Sequence, residues 1–123
     1  MKNPFNKITQ NNKIYVSEYF FVIKDKYPVS VNHLLIISKR EITDYFKLNE
    51  KEKKELYLVI DTCKIIIEET NKPDGYNIGM NCGKYAGQTV MRFHCHVIPR
   101  YKGDMLKPDG GIRHCVAGKG YYK

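Results

Sequence analysis

At 123 residues the chain fits one domain that can bury a core without metal or disulfide staples. A hydrophobic content of 42% and a charged content of 28% exclude disordered and collagen-like classes, and no apolar run approaches the roughly 20 residues of a membrane span. The net charge of +8 favours anionic partners such as nucleotides, polyphosphates, nucleic acid or acidic membrane, yet much of it is scattered lysine (Lys51, Lys53, Lys54) and no basic block marks a nucleic-acid arm.

The opening Met1-Lys2-Asn3-Pro4 leads into no apolar stretch with a cleavage site, so a cytoplasmic protein is expected. Residues 13–23 (KIYVSEYFFVI) are rich in β-branched and aromatic residues and predict two strands turning near Ser17. Asp25 to Ser30 is turn chemistry, with Pro28 fixing the chain. His33 to Ser38 is a short apolar run and predicts a buried central strand. Asn49, with Glu52 three residues on, has the pattern of a helix N-cap and its reciprocal partner. Leu56, Val59, Ile60, Cys63, Ile66, Ile67 and Thr70 then recur at spacings of three and four, an amphipathic stripe that Asn71-Lys72-Pro73 ends. Tyr76 to Met80 predicts a strand, and Asn81 to Gln88 a loop holding Gly83 and Gly87. Val90 to Tyr101 predicts another strand, with Pro99 near its end or on an edge. The glycine-rich tail from Gly103 predicts irregular structure. The order of elements gives an α+β class: a mainly antiparallel sheet of about five strands, one long helix and short helices, in a single domain of residues 1–123.

Cys63, Cys82, Cys95 and Cys115 form no C-x-x-C pair and match no common zinc spacing. They are expected to be reduced thiols, with Cys63 and Cys95 buried as small hydrophobes inside apolar patterns.

The segment from Gly87 to Arg100 carries the chemistry. On a strand, alternate side chains share a face, so Phe93, Cys95 and Val97 point one way, into the core, and Arg92, His94 and His96 the other. Spacing alone leaves catalysis, metal ligation and a structural role open for the two imidazoles. The preceding glycine loop lets backbone N–H groups approach an anion, Thr89 adds a hydroxyl and Asn81 an amide, a combination that favours phosphoryl chemistry over a structural metal.

The stretch AGQTV, then His-x-His-x-Ile-Pro-Arg, then Tyr101-Lys102-Gly103-Asp104 resembles the signature of the histidine triad (HIT) family, three histidines alternating with apolar residues. Residues 25–40 (DKYPVSVNHLLIISKR) resemble the family's other hallmark, a turn with Pro leading into a His-initiated strand, and Gly110-Gly111-Ile112-Arg113 resembles the tail of bacterial members. The likeness runs over roughly residues 3 to 117. It implies that His94 is the nucleophile and that His96 contacts the phosphate and leaving-group side, with His33 supporting the site. It further implies that Asp25 holds ribose hydroxyls, that Asn81 and Thr89 contact the α-phosphate or leaving group, and that Gly87 and Gln88 belong to the phosphate-binding loop. Arg92 stands where the first histidine is expected and is grouped with the nucleotide-binding residues. Some members carry a structural zinc; the corresponding positions here are Asn3, Asn6, Glu41 and Arg92, which look like non-ligands, so no metal is expected, and Arg92 either forms an ion pair with Glu41 in its place or faces solvent or phosphate.

The implied activity is hydrolysis at the α-phosphate of nucleoside phosphoramidates or dinucleoside polyphosphates through a nucleotidyl-histidine intermediate. Adenine or other purine nucleotides are the expected partners, with no required cofactor beyond possible Mg on the substrate phosphates, no membrane or nucleic-acid partner, and a twofold homodimer. Two alternatives are a nucleotide-binding protein impaired in catalysis and a DNA 5′-adenylate hydrolase. A sugar-phosphate nucleotidyl transferase is disfavoured by the retained His96.

Overall fold

The computed structural model describes residues 4–122. Two 3-10 turns, Pro4–Lys7 and Gln10–Asn12, lead into a short strand β1, Tyr15–Val16. Strand β2 is Phe20–Lys24 and β3 is Leu34–Ser38. The helix α1, Glu50–Glu68, follows, then β4, Gly75–Gly79, and β5, His94–Arg100. The strands form one sheet in the order β1-β2-β3-β5-β4, with every neighbouring pair antiparallel.

Local chemistry explains the element ends. The hairpin turn between β1 and β2 is tied to α1 by the Glu55 carboxylate, which accepts from Ser17 Oγ at 2.6 Å and from the Tyr19 N–H at 2.7 Å. The capping box is complete: Asn49 Oδ1 accepts from the Glu52 N–H and Glu52 Oε1 from the Asn49 N–H, each at 2.9 Å. Glu52 is buried, and the Arg40 guanidinium, which holds its carboxyl below the usual range, joins the start of the helix to the chain leaving β3.

The core lies between α1 and one face of the sheet. Leu56, Val59, Cys63 and Ile67 descend one side of the helix onto Phe20, Val22, Leu34, Ile36, Cys95 and Val97. Burial pushes the thiols of Cys63 and Cys95 up to about 12, so both pack as neutral hydrophobes. All four cysteines are free.

Several boundaries differ from the sequence reading, while Pro99 falls near the end of its strand as expected. The helix ends at Glu68, and Thr70 lies exposed beyond it. β5 begins at His94 rather than Val90, because residues 90–92 bend and the Phe93 N–H donates to the Ile42 carbonyl at 2.8 Å instead of joining the ladder. Pro99 is the penultimate residue of β5, which is an inner strand, and the edge beyond it is β4. The tail from Gly103 holds only the 3-10 turn Gly111–Cys115 among its described residues.

Candidate active site

The sheet's second face carries different chemistry. Phe21, Leu35 and Ile37 form a small apolar floor, packed over by Phe5 and Ile8 from the N-terminal segment and by Ile23. On β5, His94 stands opposite Ile37 and His96 opposite Leu35, so both imidazoles emerge beside this floor, their ring centres 5.4 Å apart. They open into a cleft of about 1120 Å³ that also reaches Asp25, Asn81, Gly87 and Thr89.

Hydrogen bonds fix which nitrogen of each ring carries the proton. His94 Nδ1 lies 2.8 Å from the carbonyl oxygen of Arg92. A carbonyl only accepts, so Nδ1 is the N–H and Nε2 keeps its lone pair. The second chain starts at the Val29 N–H, which donates to His33 Nδ1 at 3.2 Å. His33 Nε2 therefore carries the proton and donates to His96 Nδ1 at 2.8 Å, which leaves His96 with an N–H at Nε2. One backbone amide thus sets two tautomers, and the site presents a lone pair on His94 beside a donor on His96.

Burial holds both relay histidines neutral. His96 is lowered to about 4, first by burial and then by the charges of His33 and His94, against an opposing pull from Asp25. His33 is also lowered by burial, with Asp25 opposing. The Asp25 carboxylate is built into the relay: Oδ2 lies 3.3 Å from His33 Nε2 and Oδ1 accepts from the Tyr27 N–H at 2.8 Å.

Asp25, His33 and His96 present ligand atoms within 4.8 Å of one another, a set of the size that could grip a cation. The Val29 N–H argues against that use. With Nδ1 of His33 already accepting, its Nε2 holds a proton rather than a lone pair, so the trio is wired as a proton-ordered relay.

The phosphate-side loop divides in two. Asn81, Gly87 and Thr89 line the cleft. Gly87 has φ +96°, a backbone conformation in which a side chain would be strained. Gln88 is a correction to the sequence reading. Its side chain is buried and turned inward, accepting from the Gly83 N–H and donating to the carbonyls of Thr43 and Val90. It braces the loop and offers no side-chain donor to the cleft.

Several cleft residues escaped the sequence reading: Phe5, Lys7, Asn11, Asn12 and Lys26. The only signal was the apolar pair Phe5 and Ile8, three residues apart in a polar stretch. From the first hairpin, Ile14 and Ile23 face the cleft, whereas Phe20 and Val22 lie fully in the core.

Comparison with known proteins gives this arrangement a family. The HIT domain model matches residues 6–103. The chain belongs to the HIT family. An uncharacterised HIT-like protein of Mycoplasma genitalium is 33% identical over 90 residues, 73% of this chain and 64% of that relative. A bis(5′-adenosyl)-triphosphatase of Dictyostelium discoideum is 32% identical over 102 residues, 83% of this chain and 68% of that one. Among solved structures, a hypothetical histidine triad nucleotide-binding protein of Sulfolobus tokodaii superposes with a TM-score of 0.73 at 34% identity, over 81% of this chain and 67% of that chain. The chain spans a little under two thirds of the length of the Mycoplasma relative.

Arg92, at the first position of this HIT protein's triad, is the second correction. Strand parity puts it on the histidine face, and its guanidinium does lie over the Phe21 ring, 5.8 Å from the ring centre. It is nevertheless buried beneath the N-terminal segment and does not line the cleft. Nε and one terminal nitrogen donate to the Ser38 carbonyl at 3.0 and 2.8 Å, and the Lys39 carbonyl accepts at 3.2 Å. The other terminal nitrogen donates to Asn6 Oδ1. Glu41 makes no direct ion pair with it; Asn6 Nδ2 stands between and donates to Glu41 Oε1 at 3.2 Å. Asn6, Glu41 and Arg92 therefore do meet, but a permanent guanidinium cation among them does not suit a zinc ion. Asn3 lies outside the described residues.

Proposed function

We propose that this HIT protein hydrolyses nucleotides at the α-phosphorus, with His94 as nucleophile. The observation that carries the reading is the 2.8 Å bond from His94 Nδ1 to the Arg92 carbonyl, which leaves the Nε2 lone pair on the ring edge away from the backbone. That lone pair forms an N–P bond as the bond from phosphorus to the leaving group breaks. Water then attacks phosphorus, the N–P bond breaks, the electron pair returns to His94, and the proton lost by the water passes to solvent as the nucleoside monophosphate leaves. The His96 Nε2–H donates to the phosphoryl oxygens as their charge grows, with Asn81 and Thr89 on the loop side.

His96 acts in this scheme as a hydrogen-bond donor, because a neutral imidazole N–H gives up its proton reluctantly. A leaving group that departs as an anion needs no proton, and this favours dinucleoside polyphosphates over phosphoramidates, whose amine must be protonated. The bis(5′-adenosyl)-triphosphatase of Dictyostelium supports the same choice. Purine nucleotides, Asp25 on the ribose, no resident metal and a cytoplasmic location complete the reading. A homodimer belongs with it: β4 is an open sheet edge, and Leu58, Ile65 and Ile78 are exposed apolar side chains on α1 and β4.

Turnover of diadenosine tetraphosphate and of an adenosine phosphoramidate, by wild type and His94→Ala, tests it. AMP release from the first, abolished in the variant, is expected. No turnover of either with AMP still bound would establish a binding protein that has lost its chemistry.

A further inference from the structure

We infer that Arg92 is a positioning residue for His94, acting through both its main chain and its side chain. The inference rests on the hydrolase reading above for its kinetic consequence and on geometry for everything else. The Arg92 carbonyl is the acceptor that holds His94 Nδ1. Residues 90–92 lie in a bend outside the strand ladder, and the peptide that carries this carbonyl is held at its other end by the Phe93 N–H, which donates to the Ile42 carbonyl at 2.8 Å. The guanidinium adds a second anchor for Arg92: three of its bonds grip the carbonyls of Ser38 and Lys39, where the chain leaves β3.

The fourth bond runs to Asn6, which Glu41 holds from its other side. Asn6 follows Phe5, whose ring meets the His94 ring edge-on with centres 5.3 Å apart. His94 is therefore held at its nitrogen by the Arg92 peptide and supported at its ring by a residue that the Arg92 side chain tethers. A buried cation with no carboxylate in direct contact is an expensive way to fill this space. Its value lies in a planar fork that binds two segments at once, which neither a histidine nor a lysine can copy.

Asn6→Ala cuts the tether and leaves the bonds to the sheet in place. It should keep the melting temperature and the KM, while kcat falls about 10-fold, in the range that small misplacements of reacting groups produce. Asn6→Gln keeps both an acceptor for Arg92 and a donor for Glu41 and should recover most of the loss. Arg92→Lys should lower kcat by about 100-fold, and the nitrogen-15 spectrum of His94, a single Nδ1–H tautomer in wild type, should show both tautomers. Wild-type kcat in Asn6→Ala, or a wild-type His94 spectrum in folded Arg92→Lys, would overturn the assignment. If Arg92→Lys does not fold, the Asn6 pair decides. If wild type itself turns over neither substrate, the hydrolase reading fails, while the tautomer spectrum still decides the role of Arg92.

Discussion

The two faces of the sheet are built from alternate residues of the same strands, yet they obey different rules. Towards α1, Phe20, Val22, Leu34, Ile36, Cys95 and Val97 are sealed from water and carry no charge. On the other face the apolar floor of Phe21, Leu35 and Ile37 gives way to Arg92, His94 and His96, each satisfied by a specific hydrogen bond. Cys95 shows the contrast most sharply. It sits between two histidines in sequence, but its thiol is pushed up to about 12 by burial while His96 on the reverse side is lowered to about 4. One face supplies stability and the other presents groups of fixed protonation. The two should therefore separate under mutation.

The widest separation is expected at His94. His94→Ala should reduce turnover by more than about 1000-fold, as loss of a nucleophile does, and change unfolding free energy by less than about 1 kcal/mol. A stopped assay in a variant that has also unfolded would break the comparison. The mirror experiment is Ile36→Ala, which leaves a cavity under α1. It should cost about 2–5 kcal/mol in denaturant unfolding, with kcat per folded molecule unchanged.

His33 sharpens the middle ground, since it is buried yet faces the site. His33→Asn removes the donor that sets the His96 tautomer, and kcat should fall about 100-fold. The same relay gives a pH dependence. Folded His96 titrates near 4 and an ordinary imidazole near 6.5, so between these values the unfolded chain binds more protons. Its neutral burial is tolerated fully above pH 6.5, and stability is lost as pH falls towards 4, by on the order of 3 kcal/mol. Urea unfolding at a series of pH values should show this slope, and His96→Asn should flatten it. The smallest effect is expected far from the site: Asn49→Ala opens the capping box and should cost about 1 kcal/mol with no change in rate.

Much of this was legible in the sequence because it depends on period and local chemistry. A spacing of three and four gave α1, Asn49 and Glu52 gave its start, and alternation gave the two faces of β5. The same alternation placed His94 and His96 side by side and sent Cys95 inward.

Tertiary structure decided what parity and motif cannot express. Parity assigned Arg92 to the histidine face, but only the fold shows that the N-terminal segment covers it there and that Asn6 separates it from Glu41. Gln88 sits in a phosphate-type loop, yet its amide turns inward because the Thr43 carbonyl, 45 residues away in sequence, needs a donor. The tautomers depend on the Val29 amide and the Arg92 carbonyl, groups that every residue type possesses. Side-chain identity and spacing are written in the sequence, whereas the partners of backbone groups and the cover over a given face exist only after distant segments have packed.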